Sequence, residues 1–300
     1  MALTWAKFAL NPLQYFATAD GWLDPTLAPP LEARLAQIAA AGFTAVQSEV
    51  PASMSAAVYG DLLAKHGLKP GPGYAGLTGS DDPWKRKASL ERAVSRARDN
   101  MALGNPLLFL AMGMGPDDHR VEHPAIGYGA SQQRLERARD FLAEAAELIA
   151  TEGGVAALHP HVGTWVETAE EARFVLDSVD PGILRFGPDA GHLAWTGVDP
   201  AALVAEYADR VAGVHIKDFR ADIARRSRQE GWDYRKSSRA GIWTELGRGD
   251  LDIGAIMDAL PEEFDGWIVI EVDRGTTPTP QESINMSASW LAELSALQRA

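Results

Sequence analysis

The sequence predicts an α/β protein folded as a single (β/α)8 barrel across residues 1–300, with a long loop insertion at about 219–250. Two observations carry this reading. Short apolar runs alternate strictly with stretches of helical apolar spacing, and eight such units are completed. The last four apolar runs each finish in a metal-capable side chain: His159, Asp189, His215 and Glu271. Eight parallel strand–helix units favour a closed barrel over an open doubly wound sheet, and a barrel collects its functional groups at the C-terminal strand ends. No composition break marks a second domain.

Taken in order, Lys7–Asn11 is a short strand stopped by Pro12, and residues 12–29 form a long first loop rich in aromatics and turn formers. Pro30–Ala41 has helical apolar spacing and meets a helix stop at Gly42. Thr44–Val50 is the second strand, with Glu49 near its end, and Ser53–His66 is a helix ended by Gly67. Leu68–Tyr74 reads as a weaker strand, broken by Pro and Gly. Pro83–Leu103 is a charged amphipathic helix. Pro106–Met112 is continuously apolar, as expected of a strand covered on both faces. Residues 113–130 are a Gly-rich loop, and Ser131–Ala150 is a long helix with Ser131 at its cap. Val155–His159 is strand five. Thr168–Val179 opens on the capping box Thr168-x-x-Glu171. Leu184–Pro188, Val211–Ile216 and Trp267–Val272 are the last strands. Pro200–Ala208, Asp252–Leu260 and Pro280–Gln298 are the helices between and after them, the first with Asp199 at its cap and proline at its first position.

The outsized connection at 219–250 carries Arg220, Arg225, Arg226, Arg228, Arg235, Lys236 and Arg239 with Trp232, Tyr234 and Trp243 between them. A connection this long in a barrel is a charged surface insertion, a lid over the site or an oligomer contact.

Composition narrows the function. Apolar residues at 46% and charged residues at 23% suit a globular enzyme. A formal net charge of −13 disfavours nucleic-acid backbones and anionic membranes as partners. With no cysteine, thiolate metal sites, disulfide scaffolds and Cys nucleophiles are excluded. No Gly-x-Gly-x-x-Gly follows a strand and no Walker-type loop occurs, so nucleotide binding has no support. The N-terminus lacks an apolar leader pattern, and no run approaches the ~20 apolar residues of a membrane span. The expectation is a cytoplasmic enzyme with a small-molecule partner.

His159 and His161 are two residues apart, as are His215 and Lys217, so in extended backbone each pair shares a face. Asp189 ends an apolar run just before His192, where it is either a metal ligand or the cap of the following turn. Glu271 follows the buried run WIVI, where a carboxylate needs a cationic partner. His159, Asp189, His215 and Glu271 form a mixed N/O set for one divalent metal ion, manganese first, with Co, Mg or Zn as alternatives. Open coordination positions would let a carbonyl and neighbouring hydroxyl chelate, and His161, His192 or Lys217 would move the proton. Glu49, Trp165 and His192 are expected to bind substrate. Lys217 has a competing reading as a simple ion pair with Asp218 or another barrel-mouth carboxylate.

The motifs HPHVGTWVET at 159–168, FGPDAGHLAWTGVDP at 186–200, VAGVHIKDFR at 211–220, LGRGDLD at 246–252 and GWIVIEVD at 266–273 occur in an order and spacing that resembles the xylose isomerase-like barrels, the sugar phosphate isomerase/epimerase superfamily. The N-terminal half matches more loosely, through KFALNP and AAAGFTAVQSE. The resemblance implies that His159, Asp189, His215 and Glu271 are the metal ligands. Many epimerases of this superfamily have Glu where His159 stands, and the His-x-His-x-Gly-Thr pattern is instead similar to that of inosose dehydratases. The resemblance therefore implies a metal-dependent lyase that enolises a keto-cyclitol or keto-sugar and eliminates a β-hydroxyl. Its alternatives are an isomerase or epimerase on the same substrates, or a 3-keto-glycoside-cleaving enzyme such as a C-glycoside deglycosidase subunit. A homo-oligomer is implied, with a hetero-partner at 219–250 as the variant. DNA repair of the endonuclease IV type shares the barrel but needs a larger His-rich cluster and a basic groove, which seven histidines and the acidic charge do not offer.

Overall fold

The computed structural model describes residues 8–80 and 82–297. Lys7, expected to open the first strand, and Gln298, expected to close the last helix, lie outside the described residues. The strands are β1 (Phe8–Asn11), β2 (Ala45–Ser48), β3 (Lys69–Leu77), β4 (Leu107–Met112), β5 (Val155–Leu158), β6 (Leu184–Phe186), β7 (Gly213–Ile216) and β8 (Trp267–Glu271). All pairings are parallel, in the order β6-β5-β4-β3-β2-β1-β8-β7. Because β1 pairs with both β2 and β8, the sheet curls on itself. The remaining seam, between β6 and β7, is joined by parallel bridges from Phe186 to Val211 and from Asp189 to His215. The (β/α)8 barrel is thereby nearly closed, and one of its closing contacts lies between two of the expected metal ligands.

Every residue of β4 is buried, since its outer face meets helices and its inner face meets the barrel interior. That interior is made of small residues, Ala9, Ala45 and Ala157, around one large ring, Phe109. Outside, helix Gln132–Thr151 buries Phe141, Leu142, Ala145 and Ile149. Its cap is as expected, with Ser131 Oγ accepting from Arg134 N. The capping box at Thr168 and Glu171 is also formed.

The strand at Leu68–Tyr74, read as weak, is the longest of the eight, with nine residues. Its glycines reflect crowding rather than a break. A Cβ at Gly71 would lie 2.7 Å from Val46 O and 3.0 Å from Ala9 Cβ, inside the barrel. The 219–250 segment is also more regular than expected. It forms helices Ala221–Glu230 and Tyr234–Arg239, and its Ala224, Tyr234, Ile242 and Trp243 pack with Trp195 and Phe219. Asp218 ties the segment's two ends together by accepting from the backbone N–H groups of Phe219, Gly247, Gly249 and Leu251. Asp218 thus serves the backbone, and Lys217 pairs instead with the barrel-mouth carboxylates Asp189, Glu271 and Asp273.

The loop at 113–130 is anchored by Arg120, which is buried although it sits in a Gly-rich stretch. Its Nη1 donates to Thr164 O and, at 2.7 Å, to Glu171 Oε2, and Glu167 lies 3.8 Å away. Arg120→Met is expected to leave both carboxylates buried without a counter-charge and to cost about 3–5 kcal/mol of stability. Urea denaturation checks this, and a loss below about 1 kcal/mol would show that the pair contributes only at the level of a surface bridge. No described helix is long and apolar enough to cross a membrane.

Candidate metal centre and active site

The expected residues converge at the C-terminal mouth of the barrel. Phe109 forms the floor, its ring centre 5.4 Å from that of His159 and 4.3 Å from that of His215. Gly187 and Gly213 make room for it, since a Cβ at either would come within 2.6 and 2.9 Å of the Phe109 ring. On this floor one ligand atom each from His159, Asp189 and His215 lies within 4.8 Å of the others.

The hydrogen bonds fix which atoms are available. His159 Nδ1 is 2.9 Å from Gly187 O, so it carries the proton, and Nε2 faces Asp189 Oδ2 at 3.8 Å. His215 Nδ1 is 3.1 Å from Glu271 Oε2, and its Nε2 is buried without a partner. Asp189 acts as the cap of the turn that follows and keeps its other oxygen on the barrel mouth. Oδ1 caps helix Ala190–Trp195 by accepting from His192 N at 2.9 Å, and Oδ2 is buried with no hydrogen-bond partner. Burial, and then the neighbouring His215 and His161, keep His159 well below the ordinary histidine pKa, so it is neutral, as a ligand must be. Burial pushes Asp189 upward against the pull of Lys217. Two orphaned buried acceptors beside a neutral imidazole are the donor set that a divalent cation satisfies.

Glu271 joins this group from a different direction. Oε2 accepts hydrogen bonds from His215 Nδ1 and Asn11 Nδ2, and Oε1 is 2.5 Å from Lys217 Nζ. Burial opposes its charge, but Lys217 and the His215 bond hold it well below the usual carboxylate range. In this arrangement Glu271 orients His215, as a carboxylate behind a metal-binding imidazole does. Glu271→Gln is expected to lower metal affinity about 10–100-fold if that is its role. Titration against a chelating dye measures this, and complete loss of binding would instead identify Glu271 as the fourth ligand.

Lys217 is fully buried among Glu271, Asp189 Oδ2 at 3.3 Å and Asp273 Oδ1 at 2.7 Å. Burial works to lower its pKa, but the summed attraction of Asp189, Asp273 and Glu271 holds it well above the ordinary lysine value. Its ammonium has only donors, so His192 Nε2, 2.9 Å away, accepts and the His192 proton sits on Nδ1. His192 stacks against His161 with ring centres 3.5 Å apart. His161 donates Nδ1–H to Val162 O, and burial, then the Lys217 charge, pull it down to about 3, leaving a neutral ring with its lone pair on Nε2.

A cavity of about 740 Å3 opens onto this group, lined by His159, His161, Glu271 and Asp273. Glu49 also lines it, exposed and 3.4 Å from Arg96. Trp165 and His192 do not line it. Trp165 packs under the Arg134 guanidinium at 4.9 Å and against Gly79, and His192 lies behind His161. Lys217, fully buried, does not line the cavity either and stands behind Glu271 and Asp273.

Sequence reasoning passed over three residues. Asp273 stands two after Glu271, so the alternation that pairs His215 with Lys217 places it on the same face. Asn11 ends β1, whose register sets it opposite Glu271. Tyr234 enters from the inserted segment and donates its hydroxyl to Asp273 Oδ2 at 3.0 Å, and no local pattern marks it. Asp273 also completes a second close group with His161 and His192.

The family description "xylose isomerase-like TIM barrel" matches residues 35–294. The chain belongs to this family. Among relatives of this xylose isomerase-like barrel, an inosose dehydratase from Geobacillus kaustophilus is 37% identical over 136 residues, covering 45% of this chain and 44% of that protein. The chain thus spans less than half the length of that relative in the match. Two solved structures share the fold at 15% identity. They are an IolI protein with a zinc atom, TM-score 0.69 over 97% of this chain and 98% of that one, and an L-ribulose 3-epimerase, TM-score 0.69 over 97% and 96%.

Proposed function

We propose that the chain is a divalent-metal-dependent lyase that enolises a keto-cyclitol or keto-sugar and eliminates its β-hydroxyl, as an inosose dehydratase does. The observation that carries this is the triad of His159, Asp189 and His215, with Asp189 Oδ2 and His215 Nε2 buried without a hydrogen bond, beside a cavity wall that offers neutral His161. The donor atoms fit a borderline divalent ion, manganese first, held by His159, Asp189 and His215 with Glu271 behind or beside them. When bound, such an ion supplies Lewis-acid polarisation of a ketone oxygen.

The chain's own groups do the rest. His161 Nε2 is the base that takes the proton from the carbon next to the ketone. The C–H electron pair first moves into the bond to the carbonyl carbon, placing negative charge on the ketone oxygen. As the ketone re-forms, that pair becomes the new double bond to the β-carbon and expels the β-hydroxyl, to which protonated His161 returns its proton, so water leaves. Lys217 holds a fixed positive charge beside the developing enediolate and keeps Asp189, Glu271 and Asp273 in place. His192, with its proton fixed on Nδ1 by Lys217, backs the His161 ring.

A two-base epimerase is less well served. Its second base would be Glu271, and both Glu271 oxygens are committed to Lys217, His215 and Asn11. Chelator-treated protein is expected to lose turnover of an inosose and regain it with Mn, and the product is expected to be one water lighter by mass spectrometry. A product of unchanged mass would support the epimerase, and full turnover after complete demetallation would end the metal-dependent reading.

A further inference from the structure

The cavity does not end at the barrel mouth. It continues past Gln47 and Glu49 to walls built by the first loop and helix Leu31–Ala40. Its volume of about 740 Å3 lies in the range of sites that enclose drug-sized ligands, roughly 300–1,000 Å3, and exceeds what one polyol ring fills. The chemistry changes along it. At the mouth the lining is imidazole and carboxylate, with Trp22 beside Tyr234, whereas the stretch around Arg34 and Glu49 presents Phe16, Leu35 and Tyr59.

Two polar groups in that stretch have hydrogen-bonding capacity left over. Gln47 Oε1 is buried without a hydrogen bond. Arg34, half-buried with its guanidinium 5.4 Å from the Phe16 ring centre, uses Nε on Pro29 O, and its terminal nitrogens take no hydrogen bond among the described residues. An acceptor and a set of donors set among aromatic walls call for a flat apolar ligand that carries hydroxyl groups. Glu49, paired with Arg96, puts a carboxylate on the same wall and so favours a neutral phenol over an acid.

We infer that this stretch is a second subsite, which holds a phenolic aromatic substituent attached to the carbohydrate ring. The ring packs against Phe16, Leu35 and Tyr59, while its hydroxyls accept from Arg34 and donate to Gln47. This deepens the proposed function and rests on it only for the identity of the sugar-like part.

The test compares binding of 4-hydroxyphenyl β-glucoside, methyl β-glucoside and hydroquinone to the metal-loaded chain by calorimetry. The phenolic glucoside is expected to bind at least about tenfold tighter than the methyl glucoside, the gain of one charged hydrogen bond with stacking. Arg34→Met and Gln47→Leu are each expected to remove most of that advantage and to leave metal affinity unchanged, which certifies the fold. Equal affinity of the two glucosides, or an advantage that survives both substitutions, overturns the subsite. The two readings separate cleanly. Arg34-dependent binding of hydroquinone in a protein that turns over no keto-sugar upholds the subsite and sinks the lyase. Normal dehydration of an inosose with no phenol preference does the reverse.

Discussion

Lys217→Met is expected to lower kcat/KM by about 10³-fold, the loss seen when a preorganised charge that faces a developing oxyanion is removed. The side chain is buried among Asp189, Glu271 and Asp273, and no other lysine or arginine pairs with them among the described residues. Methionine keeps most of the volume and the apolar stem but deletes the only ammonium there. Three neighbouring carboxylates would then repel one another, and His192 Nε2 would lose its donor. Breaking a buried ion pair from one side costs about 3–5 kcal/mol, so the metal-free variant is expected to be less stable by that order. Added divalent metal should recover part of this loss, because it answers Asp189 directly. Steady-state kinetics and urea denaturation with and without metal read both effects. Activity within tenfold of the parent would mean that Lys217 is only structural.

Asp189→Asn is expected to weaken metal binding by more than about 100-fold, beyond the effect of altering an orienting group, while its loss of stability stays below that of Lys217→Met, because Lys217 keeps Glu271 and Asp273 as partners. The two outcomes separate because the two oxygens of Asp189 do different work. Oδ1 caps helix Ala190–Trp195, and asparagine is an equally good cap. Oδ2 is the orphaned atom, and asparagine replaces its charge with a neutral group. Asp189→Ala would lose the cap as well, a further cost of about 1 kcal/mol. Metal content by elemental analysis and thermal unfolding decide the matter. An Asn variant that keeps its metal would show that Asp189 is a cap alone.

Much of this site is legible in the chain itself. Residues at strand ends are marked by the run before them, and a spacing of two fixes a common face. The rule that joins His215 to Lys217 also reaches Asp273, had it been applied beyond Glu271. Pro70, Gly71 and Gly73 make β3 look weak in the sequence, whereas Gly71 relieves crowding against Val46 and Ala9 and Gly73 against Asn100 and Leu108, contacts more than twenty residues away. The 219–250 segment looked like a charged loop because its arginines mask a narrow buried face of Ala224 and Ser227.

By itself, then, the amino-acid order determined the barrel, the number of its units and the strand ends that face the mouth, because these follow from short-range periodicity. It did not determine the partners. That Glu271 orients His215, that Lys217 sits among three carboxylates and that Tyr234 reaches Asp273 are set by closure of the ring between β6 and β7 and by packing of the inserted helices. Those are contacts across space between charged groups, whose energies depend on burial and distance, and neither quantity exists until the chain has folded.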